Sequence, residues 1–392
     1  MAEQRPDIWN DDDGEAEEKR RGRLRRLLPF LVILAVVLVI VLVAAWRDGT
    51  GFDALRRLFS YETPSAEEPA VYRYESSADS RFAMLGDCLA VLSNTNLQIL
   101  DGSGEEVWSA AVNMDAPALM SAGGQAVAYD VGGSELYVVD AEGERLHLTA
   151  GAGEPFIAAN LSEDGYLAVT TQRQTSKGQV AVYDPEMDLI FEFNSSQRFV
   201  TDACVVDGRF LAAVTLGQEA GTFVSNIVLY RLDQEEPAAD YDVEDGLTAA
   251  IAEWDGDIVT VSDTCLTFAG TDGEISGSYA YNGAFLRGYD LGGSGFITLL
   301  LNRYSSGSVG RMVTVDAAGE ELASLDVNRE VLDISAAGRY LAVLYTDGLV
   351  IYNPDLEVYA TLDELDYASS VLMRADGSAL LLSAEYATLF LP

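Results

Sequence analysis

Eight copies of one unit, a glycine turn leading into a short apolar strand, run from Gly86 to the end of the chain. They read Gly86-Asp-Cys-Leu-Ala-Val-Leu, Gly124-Gln-Ala-Val-Ala-Tyr, Gly165-Tyr-Leu-Ala-Val-Thr, Gly208-Arg-Phe-Leu-Ala-Ala-Val, Gly256-Asp-Ile-Val-Thr-Val, Gly295-Phe-Ile-Thr-Leu-Leu, Gly338-Arg-Tyr-Leu-Ala-Val-Leu and Gly377-Ser-Ala-Leu-Leu-Leu. Their glycines stand 38 to 48 residues apart. A repeat of that length restricts a chain to architectures in which each unit hides its apolar faces against its neighbours.

A second strand follows each copy, as in Leu97-Gln-Ile-Leu, Leu136-Tyr-Val-Val, Val180-Ala-Val-Tyr and Leu349-Val-Ile-Tyr. In five copies a polar turn then reverses the chain, beginning at Asp101, Asp140, Asp184, Asp316 or Asn353. Asx side chains close such turns by accepting from the backbone ahead of them. A period near 40 with four short strands per unit implies a β-propeller, whose packed blades bury both faces and so read as continuous apolar runs. A parallel α/β sheet would need amphipathic helices of about 10–15 residues between strands, and none is visible. The fold class is therefore all-β, a propeller of eight four-stranded blades, with seven as the alternative. The last repeat stops at Pro392 before a fourth strand. Ala70-Val71-Tyr72-Arg73-Tyr74 is expected to supply it and close the ring.

Ahead of the repeats, Leu27 to Trp46 is a run of twenty uncharged residues behind the cations Lys19, Arg20, Arg21, Arg23, Arg25 and Arg26. That length suits one transmembrane helix better than a cleavable signal, whose apolar core is about 7–15 residues, although Val43-Ala44-Ala45 would serve as a cleavage site. The cationic flank places the N-terminus in the cytoplasm and the repeats outside the cell membrane. The chain accordingly divides into a disordered tail over 1–26, a span over 27–46, a juxtamembrane segment and linker over 47–69, and a propeller over 70–392. The tail's clustered acids and few apolar residues cannot build a core. Asp11-Asp12-Asp13-Gly14 lacks the spacing of a calcium loop.

From Arg47 onward the chain carries 17 basic and 55 acidic residues. That excess repels nucleic acid and anionic headgroups, so no nucleic-acid partner is expected. Cys88, Cys204 and Cys265 are odd in number and have no paired spacing, which implies buried thiols rather than a disulfide framework.

Leu97-Gln-Ile-Leu-Asp101-Gly-Ser-Gly104-Glu-Glu-Val-Trp108 resembles one repeat of the quinoprotein type of propeller, in which a Leu-Asp turn and Gly precede a docking tryptophan. The other blades hold Leu146-His147, Phe191 or Leu322 at that place, so the resemblance does not extend to a quinone cofactor, and no cofactor or metal is expected. A single N-terminal span plus an exported PQQ-like or WD-like propeller resembles uncharacterised bacterial membrane proteins of a domain-of-unknown-function family. It is also similar to the non-enzymatic propeller lipoprotein of the outer-membrane assembly machinery. Both likenesses concern the fold.

The chain has one histidine, His147, which removes most Ser-His-Asp, Cys-His and His-metal arrangements. Gly151-Ala152-Gly153 and Gly292-Gly293-Ser294-Gly295 lack the Lys-Ser/Thr of a phosphate loop. No catalytic residue is assigned. A cell-envelope hydrolase using two ectodomain carboxylates stands as the alternative, as does a single-pass sensor. Binding is better motivated: between second and third strands the connections Gln172 to Gly178, Leu216 to Asn226 and Asn302 to Gly310 are expanded, and in a propeller they share one face. They bring Arg173, Lys177, Arg303 and Tyr304, with Arg311 at the edge, to a domain otherwise short of cations. That face is the candidate site for a protein or cell-envelope ligand.

Overall fold

Strands with apolar residues on both faces are stable only when stacked on both sides, and the computed structural model of the protein shows that stacking. It describes residues 71–392 apart from 220, 244, 245, 364 and 366. Tail, span and juxtamembrane linker thus lie outside the described residues. Among those described, thirty-two strands form eight four-stranded antiparallel sheets, and no helix is long and apolar enough to cross a membrane. Seven sheets are continuous in sequence, and strands are numbered in chain order. The eighth combines the last three strands with β1 (Val71–Arg73), which pairs with β32 (Tyr386–Phe390) through Val71↔Thr388, Tyr72↔Ala387 and Arg73↔Tyr386. The eight blades are as the repeats imply, and so is the closure, which the described residues make through Val71–Arg73 of the expected segment.

Within a blade, burial follows strand position. Every residue of β11 (Leu167–Thr171), β23 (Ile297–Asn302) and β27 (Tyr340–Tyr345) is buried, whereas the outermost strand of blade 6, β25 (Glu321–Val327), is exposed or half-buried up to its last residue, Val327. The apolar clusters lie between blades: Leu92, Leu97 and Ile99 of blade 1 pack with Ala126, Ala128 and Val139 of blade 2. Trp108 docks across this junction onto Gly143, where a Cβ would come within 2.8 Å of Trp108 Cδ1. Gly143 also has φ 131°, a conformation that L side chains resist.

The Asx turns form as read. Asp101 Oδ1 accepts from the backbone of Ser103 and Glu105, and Asp184 and Asp316 repeat the pattern. Gly104 and Gly319 end such turns with positive φ, but Met187 (φ 67°) and Leu356 (φ 58°) take that place in blades 3 and 7. Both side chains are buried in inter-blade clusters, which offsets a left-handed cost of about 1–2 kcal/mol.

One loop is not a loop. Leu216 to Asn226 continues the ladder of β15 (Phe210–Glu219) and β16 (Thr222–Arg231) out to Glu219↔Thr222. Blade 4 therefore projects a hairpin beyond the rim of the others. The core registers of both strands extend outward, so pairing persists where composition alone suggested irregular chain. His147 lies on an outer strand, as expected, with its ring stacked 4.0 Å from that of Tyr137. The three cysteines are free.

Candidate functional site

In an antiparallel blade the second-to-third connection and the link to the next blade emerge at the same end. Backbone hydrogen bonds join them, from Val112 N to Thr95 O and from Ala150 N to Ser134 O. On this long-loop face stand the 172–177 loop of blade 3, the blade 4 hairpin and the 303–309 loop of blade 6.

The cations read from the sequence divide into two groups. Arg173 Nη1 is 2.5 Å from Glu154, and its guanidinium also donates to Gln179 Oε1, so it braces blade 3 internally. Glu154's carboxyl is thereby held below the usual range, chiefly by the hydrogen bond from Arg173. Arg311 Nη2 lies 3.0 Å from Glu321 and 2.5 Å from the Tyr279 hydroxyl of blade 5. Lys177 Nζ sits 4.4 Å from the Phe199 ring centroid, a cation–π contact. Arg303 and Tyr304 remain outward, and Tyr304 is 63 % exposed. The structure brings Arg303 and Tyr304 together in one loop and ties Arg173 and Arg311 into the scaffold.

Sequence reasoning missed the apolar side of this face. Val131, Phe199, Phe223, Leu247, Phe285, Val309, Leu332 and Tyr367 are exposed at its loops and strand ends, Phe223 at 58 %. Among the described residues, every exposed large apolar side chain off the outer strands lies here, apart from Tyr289 in the channel and Leu391 at the C-terminus. A shallow groove runs between the blade 4 hairpin and the start of blade 5, lined by Phe223, Val224 and Leu247 with Glu219, Asp242 and Asp263 around it. In sequence Phe223 and Val224 fall within the expanded connection from Leu216 to Asn226, and Leu247 within the link between blades 4 and 5. Only their position past the last packed layer exposes them.

The opposite face is acidic. A cavity of about 630 Å³ opens there over the central channel, walled by the first turns of blades 2 to 6 and carrying Glu163, Asp164, Asp207, Glu253 and Asp255. Burial pushes the Glu253 carboxyl up, and nearby Asp207, Asp164 and Glu163 add to the rise, against a hydrogen bond from Asp207 N that lowers it.

Deeper in the channel, carboxyls bridge the innermost strands. Asp202 of blade 4 accepts from Asn160 Nδ2 of blade 3 at 2.7 Å, from Ala203 N at 2.9 Å and from Ile251 N of blade 5 at 3.2 Å. Asp333 of blade 7 repeats the device, accepting from Ile334 N, Val371 N and the Ser370 hydroxyl of blade 8. Asp290 of blade 6 accepts from Gly292 N at 2.8 Å and faces Asp333. All three keep some contact with the channel but are enclosed by protein. Desolvation raises all three, Asp202 and Asp290 to about 7 each. No group of three or more potential metal-ligating His, Cys, Asp or Glu side chains occurs among the described residues.

The fold is shared widely among solved structures. BamB from Moraxella catarrhalis is 14 % identical with a TM-score of 0.52, over 81 % of this chain and 97 % of that one. A computationally designed protein, Ika8, is 11 % identical with a TM-score of 0.58, over 83 % and 100 %. The quinohemoprotein alcohol dehydrogenase ADHIIG from Pseudomonas putida HK5 is 9 % identical with a TM-score of 0.51, over 82 % and 75 %. At these identities the likeness establishes architecture alone. No curated protein matches the chain in sequence. A family model described as a family of unknown function, DUF5711, matches residues 65–355, and the chain with its eight-bladed propeller belongs to that family.

Proposed function

We propose that this protein is a non-catalytic binding module, a rigid propeller tethered outside the cell membrane by residues 27–46, whose long-loop face docks a protein partner. The observation that carries this reading is the gathering of exposed apolar side chains on one face, around a hairpin that projects from it. Isolated exposed apolar residues are ordinary, but their concentration on one face beside outward Arg303 and Tyr304 is the composition of an interface.

The test is proximity labelling in the native membrane. The intact protein is compared with a variant in which Phe223 and Tyr304 become Ser, and with one in which residues 217–224 are replaced by Asn-Gly between Leu216 and Ser225, a register that a two-residue turn closes. Loss of a specific neighbour in both variants supports docking on this face. An unchanged neighbour set overturns it.

A second reading, a cell-envelope hydrolase, is favoured by one observation: Glu253, raised by burial, shares the acidic cavity with Asp207 and Asp164. General acids are made in this way. A hydrolytic activity against glycan substrates that Glu253→Gln abolishes would displace the docking proposal.

A further inference from the structure

Five of the innermost strands carry a β-bulge at the same level of the channel. The inserted residues are Ile157, Thr201, Ala249, Arg287 and Leu332. Four are uncharged. Only in blade 6, on β22 (Phe285–Asp290), does the bulge present a charge, and Arg287 there lines a cavity of about 410 Å³ beneath the 303–309 loop. That volume is within the range of small-ligand sites.

Arg287 has no hydrogen bond or ion pair among the described residues, although eight other arginines of this acid-rich chain are paired with carboxylates. Opposite it the loop offers Ser305, Ser306 and Ser308, whose hydroxyls are likewise unengaged among the described residues. The loop is held in place from within, by Asn302 Nδ2 donating to Gly307 O at 2.7 Å and by Arg303 N donating to Val309 O at 3.0 Å. The donors are thus preorganised. Glu330 stands on the same wall system without pairing to Arg287.

We propose that this cavity binds the carboxylate of an acidic sugar, with Arg287 on the carboxylate and the serines and Glu330 on ring hydroxyls. The guanidinium fork matches a planar carboxylate with two parallel hydrogen bonds. Serine hydroxyls donate and accept as sugar hydroxyls require, and Glu330 only accepts. The same Glu330 and the surrounding acidic surface oppose a phosphate, which carries about −1.5 to −2 charges at neutral pH. They oppose a monoanion less, because repulsion scales with the charge of the ligand. The site goes beyond partner docking and does not depend on it, since it needs only a small molecule.

Calorimetry on the full-length protein in detergent decides this, with glucuronate, glucose and glucose 6-phosphate as probes. The expected order is glucuronate well above both others, with Arg287→Gln weakening glucuronate at least tenfold and Arg303→Gln, a charge-matched control, leaving it within twofold. Because Arg287 braces nothing, Arg287→Gln retains the parental melting temperature. Glu330→Gln narrows the preference against glucose 6-phosphate. Glucose binding as tightly as glucuronate, glucose 6-phosphate binding better, equal losses in both arginine variants, or no glucuronate binding would each overturn the proposal. None of these outcomes alters the labelling result for the face as a whole.

Discussion

Asp202 and Asp333 are the residues whose roles depend most on where the chain puts them. Each carboxylate stitches one innermost strand to the next, so Asp202→Ala leaves the Ile251 N–H without its acceptor and the Asn160 amide with the Ala203 carbonyl alone. A loss of about 1–3 kcal/mol in urea unfolding is expected. Asp290 occupies in blade 6 the place of Asn160 in blade 3, and both face the carboxylate of the following blade. Where Asn160 donates to Asp202, Asp290 sets a second acid against Asp333. Its carboxyl, 3.8 when unfolded, rises to about 7 in the fold. A raised pKa means that protonation contributes stability fully below the unfolded value, and that this contribution is lost as the pH rises through the folded one. Asp290→Asn is therefore expected to stabilise the protein by about 1–2 kcal/mol near pH 8. The gain shrinks as the pH is lowered toward 4, and urea midpoints across that range check it. An Asp at a turn such as Asp101 announces itself by the Gly or Ser after it. Nothing local distinguishes Asp202 or Asp290, because their partners come from other blades.

At the scale of elements, β1 decides whether the ring closes. Only three of its residues pair with β32, but Tyr72 is 2 % exposed, packs among Leu89, Val91 and Leu380, and donates its hydroxyl to Gly102 O. Tyr72→Ala is expected to cost about 3–5 kcal/mol by the same urea measurement. A parallel loss from an exposed outer-strand change such as Val107→Ala would argue against closure as the cause. Closure was legible because the final repeat lacks a strand and an apolar strand lies unassigned before the first. The hairpin of blade 4 was not. Gly217-Gln-Glu-Ala-Gly221 has the composition of a turn, yet Gly217, Gln218 and Glu219 continue the ladder because core strands on either side already hold its register. The bulges were equally hidden, since an inserted residue changes pairing without changing the apolar run.

For the whole molecule, charge is the dominant long-range force. The acid excess beyond Arg47 repels itself in the compact state. Raising NaCl from about 0.01 M to about 0.15 M shortens the screening length from about 30 Å to about 8 Å. The melting temperature is expected to rise over that interval, on the order of 1–2 °C for each kcal/mol of repulsion relieved in a domain of this size. A fall would mean that the surface ion pairs dominate, against their ordinary value of about 0–1 kcal/mol each. The amino-acid sequence by itself determined the all-β class, favoured eight blades over seven and showed the way the ring closes, because each blade is a local unit whose glycine turn and apolar runs recur eight times. Only the tertiary structure decided that Arg173 and Arg311 brace the scaffold while Arg287 stands free. It alone set the apolar side chains on one face and the carboxyls of Glu253, Asp207 and Asp164 around the other mouth of the channel. Those outcomes depend on distances between residues of different blades, which a periodic pattern along the chain does not encode.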